Sequence, residues 1–201
     1  MPHIERLRRI EEGDMANIRS RDPNVKIDFI LEKISEKDDI DFYVSDDMDY
    51  QFLPYRVEID FYGTKIFTKT DYVSIMRRDL EKILGGLKTL IDGKSNEFDI
   101  ESTEGDFFVS IEKADNDGDL YWVSIDMSGM LFGEDFDKTE GTALSFTFLG
   151  TYGQIEDFYK TLIEDTKKVI DDLKEKYPEE FLKFLPFYER LTREDFKIEE
   201  E

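Results

Sequence analysis

The amino-acid sequence predicts an α+β fold: an antiparallel sheet of about five to seven strands with two long helices packed on it and helical additions at both termini. Three observations predict this fold. Apolar and polar residues alternate through much of 98–148, which is typical of half-buried strands. In 73–91 and 155–173 the apolar residues recur every three or four positions, as in amphipathic helices. Hairpin-length connections separate neighbouring strands and favour antiparallel pairing.

The chain has no internal repeat and no low-complexity linker that would divide it into separate domains. We therefore interpret it as three consecutive parts. An N-terminal helical segment occupies 1–37, a main α+β domain occupies 38–177, and a C-terminal helix with an acidic tail occupies 178–201.

The N-terminal part predicts helices. Residues 2–12 place their apolar side chains on one side and have a proline at the first helical position. Residues 26–36 are ambiguous, because the run VKIDFIL also fits a strand. We favour a helix there, because the apolar residues recur at three- and four-residue spacing: Ile27, Ile30, Leu31 and Ile34.

Two alternating stretches, 40–44 and 57–61, predict the first strands of the main domain. Gly63 and Thr64 form a turn that joins the second stretch to the segment KIFTKT as a hairpin. The helix that follows contains Gly85 and Gly86, and a glycine inside a helix costs about 1 kcal/mol relative to alanine. We therefore expect this helix to pack closely against another element at the two glycines.

The second half of the chain predicts four strands and two helices. The strands lie at 98–100, 107–111, 121–127 and 144–148, and a long helix runs from the turn at 150–153 to Tyr177-Pro178. The last helix, EEFLKFLPFYERL, is apolar on nearly every side. It is therefore expected to dock on the body of the protein or to contact a partner.

The composition excludes several kinds of site. The absence of cysteine removes disulfides, thiolate metal sites and cysteine nucleophiles, and it suits a reducing compartment. His3 is the only histidine and lies near the N-terminus, where a catalytic relay would not be held in place. The N-terminus lacks the continuous apolar stretch of a signal peptide, and we expect a cytoplasmic protein.

Charge is the dominant feature, since 49 acidic residues oppose 27 lysines and arginines and give a formal net charge of −22. Such a field repels nucleic acid and anionic membranes and attracts basic proteins. The simplest alternative is that the charge serves solubility alone. A concentrated distribution of the acids argues against that alternative.

Other motifs give weaker signals. The stretch ADNDGD at 114–119 suggests a calcium loop, but an EF-hand alignment places Lys113 and Ser124 at its two ligand ends. An Asp-Gly hairpin turn explains this stretch better, with a weak ion site at Asp115 and Asp119 as the alternative. The turn at 150–153 lacks the lysine of a phosphate-binding loop. Glu101 and Glu104 are an unanchored carboxylate pair, and we expect neither a cofactor nor a bound metal.

The most concentrated acidity lies at 38–49, where DDIDFYVSDDMD contains six aspartates and no basic residue. Aromatic residues lie within and beside this run, so the cluster can imitate spaced phosphates for a basic cleft. The alternative is a solvated edge strand that its charges protect from self-pairing. The predicted partner-binding residues of this cluster are Asp38, Asp39, Asp41, Tyr43, Asp46, Asp47, Asp49 and Tyr50.

A second candidate surface is the segment SGMLFGEDFDKTEG at 128–141, which has little regular pattern. Loops of this length inside a compact domain are uncommon and often functional. Its aromatic residues are surrounded by acids, as in a protein-binding patch; alternatively, Leu131 and Phe132 pack into the core. The predicted partner-binding residues here are Met130, Phe132, Glu134, Asp135, Phe136 and Asp137.

The order of hairpin, helix, three-strand block, the strand LSFTF, Tyr152 and a long helix resembles small bacterial immunity proteins of the WapI type over about residues 55–175. The resemblance implies a cytoplasmic neutraliser of a cognate toxin that acts by occlusion, without catalytic residues.

The leading hypothesis is an immunity or inhibitor protein, not an enzyme, that covers a basic surface of a toxin or nuclease. Two alternatives stay open. One is a phage-type nucleic-acid mimic that inhibits a defence nuclease, and the other is a carboxylate-based metal-dependent enzyme.

Overall fold

The computed structural model describes residues 16–34, 40–45, 51–68, 73–114, 118–128, 131 and 143–193. The strands are β1 (Asn17–Arg19), β2 (Val25–Leu31), β3 (Phe52–Phe61), β4 (Thr64–Phe67), β5 (Ser74–Met76), β6 (Glu97–Glu101), β7 (Phe107–Lys113), β8 (Leu120–Ser128) and β9 (Ala143–Thr151). The helices are α1 (Ile40–Tyr43), α2 (Arg77–Ile91), α3 (Tyr152–Lys176) and α4 (Pro178–Leu191).

The α+β class and the antiparallel pairing are confirmed, but the strands form two sheets where one was predicted. The first sheet has the order β1-β2-β3-β4, with β5 also paired to β3, and the second has the order β6-β7-β8-β9. Helix α2 connects β5 to β6, and in this fold the strands before it and the strands after it belong to separate sheets. Alternation along the chain predicts a strand, but it cannot predict which strands pair across an intervening helix.

Two local predictions in the N-terminal third are wrong. The predicted helix at 26–36 is strand β2, which pairs with β3 through residues 25–31. Ile27 and Ile30 lie on opposite faces of this strand and are both buried, which produced the misleading helical spacing. The predicted strand at 40–44 is the short helix α1, followed by one isolated bridge from Val44 to Gln51.

The helix predicted at 2–12 lies outside the described residues. The division of the chain into three parts remains a prediction, but the described residues 17–31 of its first part contribute strands, where a helical segment was expected.

The hairpin predicted around Gly63 is confirmed as β3–β4. Tyr62 and Gly63 have positive φ angles of 52° and 80°, which a two-residue type I′ hairpin turn requires. The Tyr62 hydroxyl donates a hydrogen bond to the carboxylate of Asp22. This bond ties the tip of the hairpin to the turn between β1 and β2.

One hydrophobic core joins both sheets to helices α2, α3 and α4. The rings of Tyr55 in β3 and Phe107 in β7 meet edge to face at 6.2 Å and connect the two sheets directly. The C-terminal helix buries one side completely, since Phe184 and Phe187 are 0% exposed. Docking of this helix on the body of the protein is therefore confirmed.

Of the two glycines at which close packing was expected, Gly86 shows it. A Cβ atom added to Gly86 would lie 2.0 Å from Cδ2 of Phe98 in β6. The missing side chain therefore lets helix α2 approach the second sheet, and this contact offsets the low helix propensity of glycine.

Replacing Gly86 with alanine should lower the free energy of unfolding by about 1–3 kcal/mol, because the new methyl group must displace the Phe98 ring. Gly153→Ala is the matched control, since a Cβ there meets nothing within 4 Å. The control should be neutral or raise the stability by up to about 1 kcal/mol. Denaturant unfolding measures both variants, and a Gly86→Ala protein as stable as the control would contradict the close contact.

Candidate functional site

The second sheet has one buried face and one open face. Strand alternation directs Ile100, Ile111 and Val123 towards the core. The residues of opposite parity are all exposed or half-buried. We name these residues the outer sheet face: Glu97, Asp99, Glu101, Phe108, Ser110, Glu112, Leu120, Trp122, Ser124, Asp126, Ser128, Ser145, Thr147, Leu149 and Thr151.

The pairing register arranges this face in rows across the four strands. Directly opposite residues in such rows have their Cβ atoms about 4.5–5.5 Å apart. Three complete rows follow from the register: Glu97–Glu112–Trp122–Leu149, Asp99–Ser110–Ser124–Thr147 and Glu101–Phe108–Asp126–Ser145.

The charges on the outer sheet face are all of one sign. Five of its residues are carboxylates, and none of the positions that define the face is lysine or arginine. The acids concentrate on the edge strand β6 and continue into β7 and β8: Glu97, Asp99, Glu101, Glu112 and Asp126. A face of this kind projects a negative field that its own strands do not neutralise.

The first sheet shows that this arrangement is not a general property of the fold. On the side of β2 and β3 that carries their charged residues, Lys26 lies 2.8 Å from Asp28, and Arg56 lies 3.2 Å from Glu58 and 3.7 Å from Glu32. There the strands pair their acids with bases. Of the two sheets, the second therefore carries the unbalanced charge, on its outer sheet face.

Trp122 lies on the outer sheet face in β8, one of the two middle strands of the second sheet, and is 45% exposed. It is the only tryptophan of the chain. Short hydroxyl side chains occupy the neighbouring row, where the oxygens of Ser124 and Thr147 lie 3.1 Å apart. Because these neighbours are small, they leave the indole accessible. Exposed aromatic residues within charged surroundings are typical of protein-binding surfaces.

One end of the face is fixed to helix α2 through the turn between β6 and β7. The Thr103 amide and hydroxyl each donate a hydrogen bond of 2.8 Å to the carboxylate of Asp79, a residue that is 1% exposed. The Ser102 hydroxyl accepts bonds from the amides of Asp106 and Phe107. Burial, with a smaller contribution from Glu104, raises the pKa of the Asp106 carboxyl above its usual range.

An apolar cavity of about 60 Å³ lies between the two sheets and helices α2 and α3. Its walls are aliphatic and aromatic side chains, including the ring of Tyr55, which stacks on Phe29 at 5.0 Å. Apolar cavities in proteins stay empty of water. No charged side chain lines this cavity, so we interpret it as a packing defect.

A buried polar cluster connects the start of β3, helix α2 and helix α4. Arg77 donates a hydrogen bond of 2.9 Å to the side-chain oxygen of Gln51. Its Nε lies 3.1 Å from Glu81 Oε1 as an ion pair without hydrogen-bond alignment, and Arg190 binds the same oxygen. These contacts join elements of the fold, so the cluster is structural.

The turn at 150–153 is a helix cap, as the ordinary interpretation of that turn predicts. The Thr151 hydroxyl accepts a hydrogen bond of 3.3 Å from the Gln154 amide. The Gln154 side chain accepts one of 2.8 Å from the Thr151 amide. This capping box satisfies the backbone amide of Gln154 in the first turn of α3 and that of Thr151 at the N-cap.

Most of the sequence-predicted binding residues lie outside the described part of the chain. Tyr43 is half-buried in α1, and Asp41 lies in the same helix with its side chain outside the description. Leu131 is buried, as the core alternative for its segment predicts. The remaining residues stay predictions: Asp38, Asp39, Asp46, Asp47, Asp49, Tyr50, Met130, Phe132, Glu134, Asp135, Phe136 and Asp137.

The turn at 114–119 joins β7 to β8 as a hairpin, as expected, and the Ala114 amide donates to the Leu120 carbonyl at 2.9 Å. Residues 115–117 lie outside the description, so the alternative ion site stays untested. Within the described ranges no three Asp, Glu or His side chains are grouped so that they could hold a metal ion. No helix in those ranges is long and apolar enough to cross a membrane.

The sequence reasoning missed the outer sheet face, although its signal was present. Glu97, Asp99 and Glu101 alternate with Phe98 and Ile100, which assigns the acids and the apolar residues to opposite faces of one strand. The alternation could not predict the register, which places Glu97 in the row of Trp122 and places Asp99 and Glu101 in the next two rows.

No family model, no curated protein and no solved structure matches this chain. The resemblance to immunity proteins therefore stays a prediction.

Proposed function

We propose that the protein binds a basic protein partner through the outer sheet face and neutralises it by occlusion, as an immunity or inhibitor protein for a toxin or nuclease. The observation that carries this proposal is the exposed Trp122 on a face with five carboxylates and no basic residue. A basic surface is the complement of that charge pattern.

The acids and the aromatic residue would contribute at different stages of binding. The exposed carboxylates act over about 10 Å at 0.1 M salt, so they accelerate the encounter with a basic partner more than they tighten the complex. Trp122 supplies apolar area that is desolvated only in the complex, which slows dissociation. Fast association and slow dissociation together suit an inhibitor of a toxic partner.

The predicted acidic loop at 128–141 is compatible with this surface. Strand β8 ends at Ser128 and β9 begins at Ala143, so the loop connects two strands of the outer sheet face. We propose that its residues extend the contact with the partner. The aspartate cluster at 38–49 is a second proposed contact.

A charge-matched pair of variants tests the proposal against any basic protein that a neighbouring gene encodes, which takes the place of the toxin below. The face variant replaces four acids of the outer sheet face: Glu97→Gln, Asp99→Asn, Glu101→Gln and Glu112→Gln. The control replaces four acids of helices α3 and α4: Asp157→Asn, Glu164→Gln, Glu175→Gln and Glu179→Gln. Both variants lose four negative charges, so they differ only in where the charge is removed.

The face variant should associate with the toxin about tenfold more slowly at low salt, and its association rate should depend less on salt. The control should change the rate by less than about threefold, because its charges lie outside the contact. Stopped-flow mixing at several salt concentrations measures both. If the unmodified protein forms no complex at low salt, the proposal is wrong; equal slowing in both variants would place the contact elsewhere.

A further inference from the structure

We propose that Trp122 and Glu112 form a receptor for one arginine side chain of the basic partner, so that the outer sheet face distinguishes arginine from lysine. This inference rests on the proposed function and names the partner residue that the face recognises. The occupant is an arginine-bearing segment on the surface of a basic protein.

The register of β7 and β8 brings Trp122 and Glu112 side by side. Trp122 lies directly opposite Glu112, and Glu97 follows in the same row. With opposite Cβ atoms about 4.5–5.5 Å apart, a cation over the indole is also within reach of the Glu112 carboxylate. The two side chains therefore present an aromatic surface and an anion to the same incoming group.

No basic side chain of the four strands competes with a partner for this position. Lys113 follows Glu112 in the chain, but strand alternation places it on the opposite face of the sheet. Trp122 is 45% exposed, so nearly half of its surface is available for a contact. The strand positions that define the face therefore offer no cation of their own to the indole.

The chemistry favours arginine over lysine. A guanidinium is planar and weakly hydrated, so it stacks on an indole while its N–H groups donate to a carboxylate in the same plane. An ammonium is a compact, strongly hydrated charge that gains less from the aromatic surface. Ser110 and Ser124 occupy the next row and provide hydroxyl oxygens for the remaining guanidinium donors.

The single tryptophan makes the test direct, because its fluorescence reports on the proposed receptor itself. Two peptides of equal length and charge, (Arg-Gly)₄ and (Lys-Gly)₄, are titrated into the full-length protein at low salt. The arginine peptide should bind at least about fivefold more tightly than the lysine peptide, and its binding should change the fluorescence emission of Trp122. Glu112→Gln should remove most of this preference, whereas Glu175→Gln on helix α3 should preserve it.

The outcomes separate this inference from the proposed function. Equal affinity for the two peptides, or arginine binding with unchanged Trp122 emission, would overturn the arginine receptor. If the face variant still lost affinity for both peptides in that case, the basic-partner proposal would stand. If neither peptide bound at low salt, or the face variant bound both like the unmodified protein, both proposals would be wrong.

Discussion

Replacing Phe187 with alanine should lower the free energy of unfolding by about 3–5 kcal/mol, the usual cost of removing a buried aromatic ring. Phe187 lies in helix α4 and is 0% exposed, and Phe184 one turn earlier is equally buried. The substitution leaves a cavity between α4 and the core that the surrounding helices fill only in part. Since folded domains are stable by only about 5–15 kcal/mol, the loss would be visible in any unfolding experiment.

Leu182→Ala provides the matched control on the same helix, because Leu182 is 62% exposed. Its effect should stay within about 0.5 kcal/mol. Chemical denaturation of the two variants side by side measures the difference. If both variants were as stable as the unmodified protein, helix α4 would not be part of the folded core.

Replacing Glu81 with glutamine should lower the free energy of unfolding by about 3 kcal/mol. The substitution removes the carboxylate that Arg77 and Arg190 both contact in a largely buried setting. The side chains of Arg77, Glu81 and Arg190 are 7%, 17% and 15% exposed. Removing one member of a buried ion cluster lowers the stability by more than its ion pairs contribute to it. The reason is that the charges left behind remain desolvated and lose their partner.

Glu156→Gln is the control for this prediction. Glu156 and Lys160 also form an i,i+4 ion pair, but their side chains are 34% and 60% exposed. Exposed ion pairs of this kind contribute little to stability, so the control should leave the free energy of unfolding nearly unchanged. A double-mutant cycle with Arg190→Met then measures the coupling between α2 and α4, which should reach about 0.5–3 kcal/mol. A coupling near zero would show that the polar cluster does not hold α4 in place.

The sequence indicates the importance of Phe187 and of Glu81 to very different degrees. The apolar character of the last helix already predicts burial on at least one side, and Phe184 and Phe187 follow from it. Glu81 is one of 49 acidic residues, and nothing in the sequence separates it from the others. Only the docking of α4 brings Arg190 to it, across more than a hundred residues of chain.

The misassigned elements show where local pattern fails. In β2 the residues Ile27 and Ile30 face opposite sides, and because both sides are buried the strand imitates helical spacing. At 40–44 the alternation of Ile40, Phe42 and Val44 suggests a strand, but the Val44 amide bonds the Ile40 carbonyl at 2.9 Å as in a helical turn. For β2 the deciding factor is that the rest of the chain covers both faces of the strand.

The sequence by itself determined the α+β class, the long helices, the hairpins and the assignment of acids and apolar residues to opposite faces of β6. It also determined the charge of −22, which makes a basic partner the natural proposal. These features depend on residues close together in the chain, where the helix and strand periods can be recognised directly in the order of apolar and polar residues.

Only the tertiary structure decided that there are two sheets, that Gly86 meets Phe98, and that Trp122 shares a row with Glu112 and Glu97. The physical reason is that strand register and helix docking are fixed by contacts between distant segments. A shift of one residue in register would move every side chain of a strand to the other face. The candidate binding face exists because the core selects one register from several that the local sequence permits.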